Sequence, residues 1–203
     1  MIVSAVLFDF DGTLTCPHEI DFAALRHELG CAVEQSILEY IDGLEGEDAR
    51  RVAEEILYER EMEAACRARP NQDAEDVVRA LDEMGLPLAI VTRNIRPAVD
   101  RAFENFSRIA TEDFRIIVTR DDVVRPKPDP EAVSRVVETL DVELAEILCV
   151  GDYVYDVELA RNAGCPSVFL TNGEDRADVD PDFRIERMSE LLEIVRDHQA
   201  RDR

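Results

Sequence analysis

Short, uninterrupted apolar runs alternate along this chain with longer stretches in which apolar positions recur every three or four residues. The runs are Val3 to Phe8, Leu86 to Val91, Phe114 to Val118, Glu146 to Val150 and Pro166 to Leu170. They are too short for helices and rich in β-branched residues, which predicts strands buried on both faces. The helical period predicts helices over Ala74 to Met84, closed by Gly85, and over Pro97 to Phe106 and Pro130 to Leu140. It predicts two more over Val154 to Ala163, closed by Gly164, and Ser189 to His198. Strand and helix in alternation predict an α/β fold with a doubly wound parallel sheet.

One span breaks the alternation. From about Pro17 to Asn71 the pattern is helical throughout, with segments Phe22 to Leu29, Val33 to Ile41 and Glu47 to Arg69. No strand falls between the first strand and Leu86, which is far longer than an ordinary crossover. The span is read as a small all-helical cap, residues 17–71, inserted after strand one of a core formed by 1–16 and 72–203. Glu174 to Asp182 is acidic and turn-rich, and is predicted to be a solvated loop.

Composition narrows the partners. The chain has 203 residues, 46% of them hydrophobic, and a formal net charge of -23. Such a charge repels nucleic acid and anionic membranes, so neither is expected as a partner. No apolar stretch approaches the length of a membrane span, and the first run lacks a basic leader, so a cytoplasmic protein is expected. Five scattered cysteines without a CxxC pair fit reduced thiols better than a disulfide frame or a zinc site. Monomer and homodimer both remain open.

The candidate chemistry lies at the strand ends, where ligands of open α/β sheets gather. Strand one runs into Asp9-Phe10-Asp11-Gly12-Thr13, strand two into Thr92-Arg93-Asn94, and strand four into Gly151-Asp152-Tyr153-Val154-Tyr155-Asp156. The loop after strand three holds Lys127, the single lysine beside 22 arginines. Lysine is a compact, movable point charge where arginine is a broad planar fork, so its isolated use marks the position. Four carboxylates converging on one edge repel one another unless a cation sits among them, and an all-oxygen cluster suits a hard ion such as Mg²⁺. A carboxylate beside Mg²⁺ and Lys is a plausible nucleophile toward phosphorus, and Asp11, two residues on, is placed for proton transfer.

In order, and each after a predicted strand, Asp9-x-Asp11-Gly12-Thr13, Thr92, Lys127 and Gly151-Asp152-x-x-x-Asp156 resemble the four motifs of the haloacid dehalogenase-like hydrolases. The resemblance covers nearly the whole chain and points to the phosphoglycolate phosphatase-like branch. It implies a Rossmann-like core and a Mg²⁺-dependent phosphatase acting on a small phosphorylated metabolite through an aspartyl-phosphate. Asp9 would attack the phosphoryl group; Asp11 would protonate the leaving oxygen and then activate water. Thr92, with Arg93 beside it, and Lys127 would bind the phosphate. Asp9, the Asp11 carbonyl and Asp152 would hold Mg²⁺, with Asp156 close by as a further acid or as a ligand through water.

Departures from relatives bear on the reaction. Asp11 is present, unlike in the dehalogenases, and the cap has no lysine for a Schiff base. A phosphosugar mutase and a catalytically idle regulatory or binding homologue remain as alternative readings. In the cap, His18 and His27 carry little signal, and Arg67 and Arg69 near its return to the core are candidates for a second anionic group.

Overall fold

The computed structural model describes residues 1–174, 176 and 178–199. Among these, the sheet has six parallel strands in the order β3-β2-β1-β4-β5-β6. They are β1 (Ala5–Phe8), β2 (Leu88–Val91), β3 (Ile116–Val118), β4 (Ile147–Gly151), β5 (Ser167–Leu170) and β6 (Phe183–Ile185). Three helices follow β1: α1 (Phe22–Leu29), α2 (Ile37–Asp42) and α3 (Glu47–Arg67). The others are α4 (Ala74–Glu83), α5 (Arg96–Phe103), α6 (Glu131–Leu140), α7 (Val154–Ala163) and α8 (Leu191–Gln199).

Side chains alternate between the two faces of each strand, so each central strand feeds two cores. Val6, Phe8, Leu88 and Ile90 pack with Val77 and Val78 of α4, Val99 of α5 and Leu191 and Val195 of α8. Ala5, Leu7, Ala89 and Val91 face the other way, against Val133 and Val136 of α6 and Leu159 and Ala160 of α7. A third cluster, including Leu25, Ile37, Ile41 and Leu57, lies within α1, α2 and α3. The chain leaves and re-enters the sheet through adjacent segments. Thr15 bridges Pro70, Cys16 N–H donates to Arg69 O at 2.8 Å, and Asn71 N–H donates to Leu14 O at 2.8 Å.

Register places the site. Phe8 is level with Ile90 on one side and Val150 on the other, and Val91 is level with Val118. The backbone of Asp9 donates to Val150 O at 2.8 Å and that of Thr92 to Val118 O at 3.0 Å. The carboxyl ends of four neighbouring strands therefore finish together, at the point where connections from β1 diverge to either side.

The structure departs from the sequence pattern in a few places. β6 has no counterpart among the predicted strands, because three residues, one of them the charged Arg184, carry almost no period. Helix α2 starts at Ile37, not Val33: Ala32 to Gln35 form a turn, and Val33 is 79% exposed. Helix α3 ends at Arg67 because the residue before Pro70 favours extended backbone. In the expected loop Glu174 to Asp182, Asp175 and Ala177 lie outside the described residues. No helix among the described residues is long and apolar enough to cross a membrane.

Candidate active site

Lys127 is the centre of the cluster. Its side chain is buried, and its ammonium donates to Asp9 Oδ1 and to Asp156 Oδ1, the latter at 2.7 Å. The other oxygen of Asp156 accepts from the Tyr153 N–H at 3.0 Å, at the entry to α7, so both ends of that carboxylate are fixed. Burial alone would pull the Lys127 pKa down. Asp156 and Asp9 outweigh it and hold the ammonium well above its ordinary value, so it stays charged at every physiological pH.

The carboxylates are in the opposite condition. Burial pushes Asp9 up to about 7, against the pull of Lys127 and with help from Asp156 and Asp11. Asp152 is also pushed well up, by burial first and then by Asp9 and Asp156. A single ammonium faces Asp9, Asp11, Asp152 and Asp156, and cannot neutralise four carboxylates.

The donor set fits a divalent cation. Asp9, Asp152 and Asp156 each offer an oxygen, all within 4.8 Å of one another. Three hard oxygen donors in an over-acidic, partly buried site suit Mg²⁺ better than a soft metal. Two glycines let these groups approach. A Cβ at Gly12, whose φ is +83°, would lie 2.2 Å from Asp152 Oδ2, and one at Gly151 would lie 2.2 Å from Asp156 Cγ. Any larger residue at either position would occupy the space of the carboxylate itself. Thr13 supports Asp9 and Asp152, its hydroxyl lying 3.4 Å from Asp9 Oδ2 and 3.3 Å from Asp152 Oδ1.

Asp11 stands apart from this cluster and contributes no carboxylate oxygen to it. Asn94 Nδ2 donates to both of its oxygens, at 3.0 and 3.3 Å. Burial raises its pKa, opposed by the Asn94 bond, Lys127, Arg120 and Thr92. An acid so placed holds a proton more readily than an exposed carboxylate does. Thr92 is buried at the end of β2, and its hydroxyl accepts from the Asn94 N–H at 3.0 Å.

The guanidinium of Arg93 is occupied by protein groups. It donates to the Lys127 carbonyl, to Ser36 Oγ at 2.8 Å and to Glu39 Oε2 at 3.0 Å, and lies 4.7 Å from the Tyr155 ring centroid. A second arginine is held in a similar way nearby. Arg120 pairs with Glu61 of α3, at 2.8 Å for one bond, and donates to Arg93 O at 2.9 Å. Burial pushes Glu61 up to about 7 in spite of that partner.

A cavity of about 400 Å³ opens over these groups. Asp9, Asp11 and Lys127 line its floor, and Ile20, Phe22 and Leu57 are among the residues that cover it from the helical insertion. Arg67 and Arg69 do not line it. Arg67 donates to Glu19 O at 2.9 Å, and Arg69 pairs with the Glu19 carboxylate at 3.5 Å. His27 is also outside it, whereas His18 lines it and lies 3.6 Å from Glu174.

The strand-end motifs include Asn94 without giving it a role, and they do not reveal Glu61 and Arg120. Asn94 had a visible signal, two residues beyond Thr92 in the same loop. Glu61 had none, since one glutamate in a helix full of charges looks like a solvated face. Asn71 was also unmarked. Its side chain donates to Gly12 O at 3.2 Å and Thr13 O at 3.1 Å, tying the end of the helical insertion to the first motif.

Comparison with known proteins agrees with this geometry. An uncharacterised hydrolase of Saccharomyces cerevisiae is 31% identical over 202 residues, covering 95% of this chain and 91% of its own. The pyrophosphatase PpaX of Halalkalibacterium halodurans is 31% identical over 212 residues, covering 96% and 98%. A crystal structure of a predicted phosphoglycolate phosphatase from Haemophilus somnus superposes with a TM-score of 0.73 at 20% identity, covering 95% and 97%, and so shares the fold. The sequence profile of the haloacid dehalogenase-like hydrolases matches residues 6–170, and with four strand-end motifs meeting at one sheet edge, the chain belongs to that family.

Proposed function

We propose that this protein is a Mg²⁺-dependent phosphatase that hydrolyses a small phosphorylated metabolite through an aspartyl-phosphate on Asp9, with residues 17–71 acting as a cap. The observation that carries the reading is the buried contact of Lys127 with Asp9 and Asp156, among carboxylates it cannot neutralise alone. Asp9, Asp152 and Asp156, with the main-chain carbonyl of Asp11, are the groups that would hold the ion. When bound, Mg²⁺ supplies positive charge that offsets the carboxylates and polarises the phosphoryl group.

The rest is the work of this chain's own residues. Asp9 attacks phosphorus and becomes the acyl phosphate, while Lys127 favours its ionised form and draws the phosphoryl oxygens in. Asp11, held by Asn94, gives its proton to the leaving oxygen and takes one from the water that hydrolyses the intermediate. Thr92 donates its hydroxyl to a phosphoryl oxygen. Arg93 contributes by gripping the Lys127 carbonyl, which fixes the loop that carries the lysine. Because phosphoryl transfer needs positioning and charge cancellation more than covalent help, this set is sufficient. The name of the PpaX relatives, pyrophosphatase, supports cleavage at phosphorus.

The test is phosphate release from a panel of phosphorylated metabolites with and without Mg²⁺. Release that requires the ion and disappears in Asp9→Asn supports the reading. Full activity in excess chelator contradicts it.

A further inference from the structure

The far side of the cavity differs in character from its floor. Phe22 on α1 and Tyr153 before α7 are large aromatic side chains left 47% and 41% exposed, and both line this cavity, one from the helical insertion and one from the sheet edge. Ile20, Ile37, Leu38 and Leu57 continue the apolar lining, and Tyr155 stands edge-on to Tyr153 at 5.1 Å. Apolar walls with aromatic faces are the usual lining for a ligand whose own body is apolar.

The charges there are already balanced. Arg93 is paired with Glu39, Arg120 with Glu61, and Arg176 with Asp178 at 3.3 Å, with its guanidinium 5.2 Å from the Tyr153 ring. Arg26 bonds the carbonyls of Phe22 and Gln35 at 3.4 Å each and lies 6.0 Å from the Phe22 ring. The carboxylates of Glu19, Glu61 and Glu174 also line the cavity. A second anionic group on the substrate would have to displace an existing carboxylate partner or rely on Arg26 and His18, close to the carboxylates of Glu19 and Glu174. An uncharged apolar body meets no such cost and removes exposed apolar surface from water.

We infer that the substrate is a phosphate monoester whose leaving group is an uncharged alcohol with an aromatic or similarly bulky apolar body, seated against Phe22 and Tyr153. This rests on the phosphatase reading and names its substrate class. Substrates with a compact anionic leaving group would leave the aromatic lining unfilled.

The experiment compares kcat/KM for benzyl phosphate, phosphoglycolate and pyrophosphate, with acetyl phosphate as a small activated control. Benzyl phosphate and phosphoglycolate are both esters of primary alcohols, so they differ mainly in carrying a phenyl ring or a carboxylate. Burial of the ring should favour benzyl phosphate by about tenfold or more. In Phe22→Ala and Tyr153→Ala that preference should shrink severalfold, with the effect falling on KM for benzyl phosphate. Phosphoglycolate or pyrophosphate turned over as well as or better than benzyl phosphate would overturn the inference and leave the phosphatase reading standing. No phosphate released from any of the four, acetyl phosphate included, would overturn both.

Discussion

Lys127 Nζ lies 2.7 Å from Asp156 Oδ1, and the same ammonium meets Asp9, so one buried point charge joins the loop after β3 to the start of α7 and the end of β1. The geometry requires a small donor that serves two acceptors at once. Arginine has a fixed fork and greater width, and methionine has no charge. Lys127→Arg and Lys127→Met should each lower kcat by about 100-fold or more, the loss typical of removing one charge-stabilising donor. Steady-state kinetics on any accepted substrate checks this. Arg activity within a fewfold of wild type would remove the special role of the lysine.

Ion binding should register in stability before any turnover is measured. A ligand that binds only the folded state stabilises it by about 2.7 kcal/mol at a concentration 100 times its Kd. Mg²⁺ should therefore raise the thermal midpoint of the wild-type protein by several degrees, and Asp152→Asn should abolish most of the rise. An equal Mg²⁺ shift in Asp152→Asn would place the ion elsewhere.

Gly151 offers a steric test. The Cβ of Gly151→Ala would need the space 2.2 Å from Asp156 Cγ, so the carboxylate must move and its grip on Lys127 must loosen. Such overpacking costs about 1–3 kcal/mol. Activity should fall more than tenfold, and the protein should unfold at lower denaturant. Unchanged kcat would show that the position of Asp156 has no bearing on turnover.

Glu61 predicts a pH dependence. Its folded-state pKa is about 7, above the ordinary 4.5, so the folded protein holds a proton that the unfolded chain releases across that interval. Its contribution is fully favourable below about pH 4.5 and is lost as pH rises through about 7. Glu61→Gln removes this dependence. Denaturant titrations of both proteins should show the variant gaining on wild type by up to about 3 kcal/mol between about pH 4.5 and 7.5. A difference that does not change with pH would mean that the Glu61 carboxyl is not shifted.

Much of this could be read from the chain because strand ends are local. An apolar run such as Leu86 to Val91 is followed at once by its polar terminus, so Asp9, Thr92 and Asp152 announced themselves by adjacency, and parallel pairing aligned them. Lys127 stood out by composition. Contacts between the insertion and the sheet had no such marker: the Glu61–Arg120 pair joins residues 59 positions apart, and the Arg93–Glu39 contact joins residues 54 apart. β6 escaped for a different reason, since it is held by pairing with β5 and carries no period of its own.

The central claim is that Asp9 carries the phosphoryl group. The direct measurement is a rapid quench of the enzyme with phosphate-labelled substrate and Mg²⁺, followed by peptide mapping. The account predicts a hydroxylamine-labile label on the peptide containing Asp9, formed at a rate no slower than turnover and missing in Asp9→Asn. Turnover that proceeds in Asp9→Asn at the wild-type rate, or a label on any other residue, would contradict it.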